Sequence, residues 1–182
     1  MKHLLYLSIV CTLVSCGSDT KNSETDNFHN QFQHNSKDRI ANLEAIVYSD
    51  TVRVLNVPLA LELAALYSHK AKENPLHSVS ADLLFKAGEL YMNSNRGNKA
   101  IVAFKEVHIR FPGSKRSSTA RFLKAFVAET ILGDEDLAKR FYQEFLTAHP
   151  NHDLADDAQM SINLLGLNDE ELLERLKGED EI

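Results

Sequence analysis

A pattern of small and large residues that returns after 38 positions constrains this chain more than any other feature. From Leu84, the residues Ala87, Gly88 and Tyr91 share one helical face, and Ala100 and Phe104 share the next before Pro112 stops it. Adding 38 to each number gives Phe122 for Leu84, Ala125 for Ala87, Ala138 for Ala100, Tyr142 for Phe104 and Pro150 for Pro112. Phe126 and Glu129 then fall where Gly88 and Tyr91 stood, so the first helix of this second copy departs from the pattern while its second helix keeps it. Backward from Leu84, Leu63, Tyr67 and Pro75 repeat the mutual spacing of Ala100, Phe104 and Pro112, which places an earlier copy with its first helix near Ile40 to Tyr48. Each unit is a helical hairpin. Small residues let its two helices approach, and the large ones must be buried against the next hairpin because one hairpin cannot cover its own apolar face.

These spacings resemble those of tetratricopeptide repeats, in a form with long units, over Ile40 to Leu167 and most strongly from Leu84 to Pro150. The resemblance implies an all-α fold of antiparallel helical hairpins stacked as a short superhelix, about three hairpins plus a C-terminal capping helix. The four extra residues per unit are expected in longer helices or in the turns Gly113 to Arg116 and Asn151 to Asp153. Composition agrees with the class. With 7 Gly, 4 Pro and no Trp, and no run of alternating β-branched residues, helix is favoured at most positions. The turns Phe111-Pro112-Gly113-Ser114 and His149-Pro150-Asn151-His152, with Leu154-Ala155-Asp156-Asp157-Ala158 after them, look like those of envelope lipoproteins of Gram-negative bacteria, the class that includes outer-membrane assembly and Tol-Pal-associated factors.

The chain start points the same way. Met1-Lys2-His3 precedes an apolar run from Leu4 to Val14, about 11 residues and too short to span a bilayer as a helix. It ends Leu13-Val14-Ser15-Cys16, which resembles a lipobox: apolar residues, a small one, then the cysteine whose thiol accepts the diacylglycerol. Residues 1–15 are therefore expected to be a lipoprotein signal peptide and Cys16 the lipidated N-terminus, with Cys11 leaving in the leader. Residues 16–37 are expected to form a flexible tether, because among Ser, Asn, Asp, Gln and Thr only Phe28 and Phe32 are large and apolar. Residues 38–177 form the repeat domain and 178–182 an acidic tail.

Local signals set the helix ends. Pro58 suits a first turn, Asn74-Pro75 a break, and Ser78 or Ser80 an N-cap. Asn98 and Asp134 are expected to cap the two best second helices, with Gly97 and Gly133 making the turns before them. Ile40, Leu43, Ile46 and Val47 share the buried face of the first helix, and Ile162 and Leu165 that of the helix after Pro150. Gly166 ends that helix. Asn168 and Glu171 have capping-box spacing and open a last helix with Leu172, Leu173 and Leu176, outside which Glu170, Glu174, Arg175 and Lys177 supply the polar face a terminal unit needs.

The chemistry carried by these residues is sparse. A net charge of −6 without a basic stripe argues against nucleic acid. Beyond Cys16 there is no thiol. His149 with His152 and Asp153 is the one cluster with ligand spacing, and a lone histidine pair on a proline turn reads as turn solvation, so no metal and no cofactor are expected. The pairs Asp156-Asp157 and Glu170-Glu171 sit at helix starts, where they favour the positive end of the dipole. The function expected is a membrane-anchored scaffold or adaptor that binds an envelope protein or peptide, lipid-held at the outer membrane; the alternative is an accessory domain of an envelope enzyme, or an enzyme whose site is assembled from residues far apart in sequence. Oligomeric state and partner identity are not encoded in any motif. By analogy with tetratricopeptide hairpins, whose first helices line the concave surface, the binding groove is expected to present Asp82, Phe85, Glu89, Met92 and Asn93 from one copy and Leu123, Val127 and Thr130 from the next.

Overall fold

The computed structural model describes residues 36–49, 54–168, 170, 171 and 174. The leader, Cys16, the tether up to Asn35, the leucines of the last helix and the acidic tail lie outside the described residues. The chain divides into Met1–Asp38 and Arg39–Ile182, and the fold is that of the second unit. Among the described residues every regular element is helical. Residues 36–47 form α1, so helix already covers Ser36 and Lys37, assigned above to the tether. There follow α2 (Val57–Glu73), α3 (Val79–Asn93), α4 (Gly97–Arg110), α5 (Ser117–Val127) with a π-turn at Ala128–Leu132, α6 (Glu135–Ala148) and α7 (Ala155–Leu164). Each helix from α2 onward packs chiefly on its neighbours in sequence, as in a stack of hairpins.

Short connections define the hairpins. Three residues join α3 to α4 and two join the π-turn to α6, whereas six separate α4 from α5 and six separate α6 from α7. The connections between hairpins are thus longer than those within them, and they contain the turns Gly113 to Arg116 and Asn151 to Asp153. Inside the first complete hairpin, Gly88 sets the approach: a Cβ there would lie 2.5 Å from the Phe104 ring, closer than any real contact. Phe104 is fully buried, and Phe85 meets it edge to face at 5.6 Å between centroids.

The helix ends follow the local chemistry in part. Asn56 accepts from the Leu59 N–H and Asp134 from the Leu137 N–H, each capping a helix start, and Pro58 lies in the first turn of α2. The Asn168 side chain accepts from Glu170 and Glu171 while Glu171 accepts from the Asn168 N–H, completing the capping box. Asn98 does not cap α4. The helix begins at Gly97, with Arg96 as N-cap and no side-chain bond, because Asn95 takes the left-handed conformation (φ 55°) and turns the chain two residues earlier. Gly97 is thus not the turn residue; it is buried, and a Cβ on it would come within 2.6 Å of Leu132. Ser78 stands at the N-cap of α3 without a side-chain bond, and buried Ser80 donates to the Asn74 carbonyl instead. Ile46 is exposed, although Ile40 and Leu43 on the same helix are buried.

The second hairpin contains one residue more than its partner in the first helix. The Arg96 N–H donates to the Tyr91 carbonyl, five residues back (2.8 Å), while the Asp134 N–H donates to the Ala128 carbonyl, six residues back (3.0 Å). A π-turn is a one-residue insertion into a helix, and here it changes the register of the repeat. Phe122 packs on Tyr142 at 5.5 Å as Phe85 packs on Phe104, and buried Ala125 replaces buried Gly88. Before the π-turn the copies are therefore related by 37 residues, and after it, at Asn95 and Gly133 (φ 62°), by 38. This corrects the correspondence of Phe122 with Leu84 and of Ala125 with Ala87. A period of 38 applied to the whole unit misplaces every side chain of α5 by one position, or about 100° around the helix.

Candidate functional site

The shifted register decides which groove residues a partner can meet. Val127 corresponds to Leu90, and both are buried, Val127 completely. Phe85 is only 3% exposed. Both belong to the core and present nothing to a partner, so their assignment to the groove is corrected: packing between helices uses their full side chains. Asp82, Asn93 and Thr130 are exposed, and Glu89, Met92 and Leu123 are half-buried, the last two packed against the main core. Phe126, which takes the position of Glu89 in the second copy, is 38% exposed, a large apolar group on the first-helix side that the uniform period hid. Pairing Phe85 with Phe122, and so one small residue with another at Gly88 and Ala125, would have revealed it from the sequence.

Around α3 these residues form a polar strip that reaches α1 and the α4–α5 turn. Arg116 donates from Nε to Asp82 Oδ1 at 3.2 Å, and its guanidinium lies over the Phe85 ring, 4.7 Å from the ring centre. Tyr67, buried in α2, donates to Glu44 of α1 (2.5 Å), and Lys86 lies 3.8 Å from the same carboxylate. Burial pushes the Glu89 carboxyl above its ordinary range, although Arg116 and Lys86 oppose the shift. Burial likewise raises the Tyr48 phenol, which Glu89 and Glu44 reinforce. Beside Asp82 and Arg116 opens a cleft of about 690 Å³ between two inter-hairpin turns, with Leu76, Phe111 and Lys115 on its walls. Such an arrangement can hold a polypeptide segment by charge and apolar contact.

His149 and His152 pack their rings edge-on or tilted against Phe145, at 5.6 and 5.5 Å. His152 Nδ1 accepts from the Leu154 N–H and so holds the turn before α7, while burial lowers the His149 imidazole below its usual value. Among the described residues no group of three or more His, Cys, Asp or Glu side chains is arranged to hold a metal ion, and no helix is long and apolar enough to cross a membrane.

No curated protein matches the chain. Residues 82–114 and 119–152 each match the family model of the tetratricopeptide repeat; the starts lie 37 residues apart and the ends 38, the same insertion that the π-turn makes. Two segments of this all-α stack are thus similar to the tetratricopeptide repeat, a unit of scaffolds through which proteins bind one another.

Proposed function

We propose that this protein is a lipid-anchored scaffold of the bacterial envelope, held at the outer membrane by Cys16, that binds a protein or peptide along the first-helix face of its hairpins. The binding half rests on one observation. On helices whose other faces are buried, Asp82, Glu89, Asn93, Phe126 and Thr130 stay at least partly exposed, giving a continuous strip with three carboxylates (Glu44, Asp82, Glu89), two cations (Lys86, Arg116) and an aromatic ring. The anchoring half is supported by the basic start, the short apolar run and the small residue before Cys16. A tether of about 20 residues would keep the repeats near the membrane and raise the local concentration of partner and scaffold there.

Two measurements test the two halves separately. Cys16→Ser should move the chain out of the detergent phase; equal partitioning of variant and wild type would remove the anchor. A photo-crosslinker at Asn93 or Thr130 should capture an envelope protein that one at Lys139, exposed on the second helix, does not capture, and Glu89→Lys with Phe126→Ser should abolish that adduct. Capture of the same partner at equal yield from Lys139 would overturn the first-helix assignment.

A further inference from the structure

The interface between the two repeats carries basic side chains at three positions that are apolar in the preceding interface. Where α2, α3 and α4 meet, Ala71, Leu84 and Ala87 are all buried. Their counterparts 37 residues on, where α4, α5 and α6 meet, are His108, Arg121 and Lys124. His108 is 8% exposed and Lys124 only 4%. Three replacements converging on one place are not an accident of a single surface position, and each puts a polar or charged group where desolvation is costly.

Compensation within the protein is incomplete. Lys124 reaches the Glu144 carboxylate at 2.9 Å and lies 3.7 Å above the Phe141 ring. Both ring nitrogens of His108 and Nε of Arg121 are buried and have no hydrogen-bond partner. Electrostatically, His108 faces Lys105 on its own helix, Arg121 and Lys124 on α5 and Glu144 on α6. Three cations and one carboxylate leave a local charge of +2, within a chain whose net charge is −6. At the first interface the corresponding surface is an open cleft of about 390 Å³ in which Lys72 and Lys99 flank Leu84, Tyr91 and Glu106. At the second interface Glu144, the counterpart of Glu106, is partly exposed and sits over Lys124 as a removable lid.

We propose that this basic cluster binds a phosphate group carrying two negative charges, as free phosphate or as a phosphate monoester, which displaces Glu144 from Lys124 and accepts hydrogen bonds from Lys124, Arg121 and His108. A dianion neutralises the local excess, and several oxygens can satisfy donors that converge from two helices, as one carboxylate cannot. The site lies apart from the strip proposed for protein binding and stands whether or not that strip binds a partner.

The test is a titration of the full chain with inorganic phosphate at constant ionic strength, read by calorimetry and by the ring resonances of His108. Saturable one-to-one binding that moves His108 is expected. Glu144→Gln removes the competing carboxylate and should tighten binding, whereas Arg121→Gln should weaken it at least about tenfold. Phenyl phosphate binding as well as phosphate would assign the site to esters; phosphate alone would assign it to the free ion. The proposal fails if His108 responds equally to chloride, if Glu144→Gln binds no better than wild type, or if phosphatidylglycerol vesicles move His108 while inorganic phosphate does not.

Discussion

The two hairpins that match the tetratricopeptide repeat share a backbone plan and differ in what they bury. In α3–α4 the contact between helices is glycine against a phenylalanine ring, with apolar residues on either side. In α5–α6 it is Ala125 against Phe122 and Tyr142, the tyrosine hydroxyl donates to Glu129 (2.6 Å), and the side facing α4 is basic. The buried residues accordingly fall into two clusters, one running from α1 to Val127 and one built on Tyr142 and Phe145, with Ile101 packed against both. Where the first hairpin is optimised for contact, the second has exchanged contact for polar groups. The lesson is that equivalent positions in a repeat fix geometry and leave chemistry free.

The comparison breaks most directly at Gly88. Gly88→Leu should cost about 3 kcal/mol, because the new side chain must displace a fully buried ring, while Ala125→Gly in the second hairpin should cost only about 1 kcal/mol through helix propensity. Equal effects in chemical denaturation would show that Gly88 does not set a tighter contact than Ala125. Converting the second interface to the first, with His108→Ala, Arg121→Leu and Lys124→Ala together, should stabilise the chain by roughly 2 kcal/mol, since buried charge is often worth less than apolar packing. It should also abolish the phosphate response.

Burial, reinforced by Arg121 and Lys124, lowers the His108 imidazole to about 4. The unfolded chain then binds a proton that the folded chain refuses, so stability should fall as pH drops from about 6.5 toward 4, by roughly 2 kcal/mol. His108→Ala should flatten that window in urea melts taken across it. A profile unchanged by the substitution would place the proton elsewhere. Finer differences come last. Tyr142→Phe should cost about 1 kcal/mol for the lost bond to Glu129, which has no counterpart at Phe104. Asp134→Ala should likewise lose up to about 1 kcal/mol of helix capping, whereas Arg96→Ala, at the equivalent N-cap without a side-chain bond, should be close to neutral.

Local rules carried far in this chain. Pro58, Asn74-Pro75, Asp134, Gly133, Gly166 and the Asn168–Glu171 box act through their own backbone and that of a few neighbours, so the sequence by itself determined these helix ends, together with the all-α class and the hairpin order. Gly88 was legible for the same reason: the repeat marks a small residue opposite a large one wherever two helices must touch. The register of α5 was legible only by pairing Phe122 with Phe85 instead of Leu84, and nothing local chose between the two pairings. Its π-turn has no local signature, and it arises because Gly133 and α6 hold one end of the helix while the Phe122 and Ala125 contacts hold the other, leaving one residue to be absorbed between them. From that single residue followed the burial of Val127, the exposure of Phe126 and the meeting of Arg121, Lys124 and His108. Side-chain direction in a helix turns through about 100° per residue, so which residues face a partner, and which share a cleft, was decided only when the helices packed.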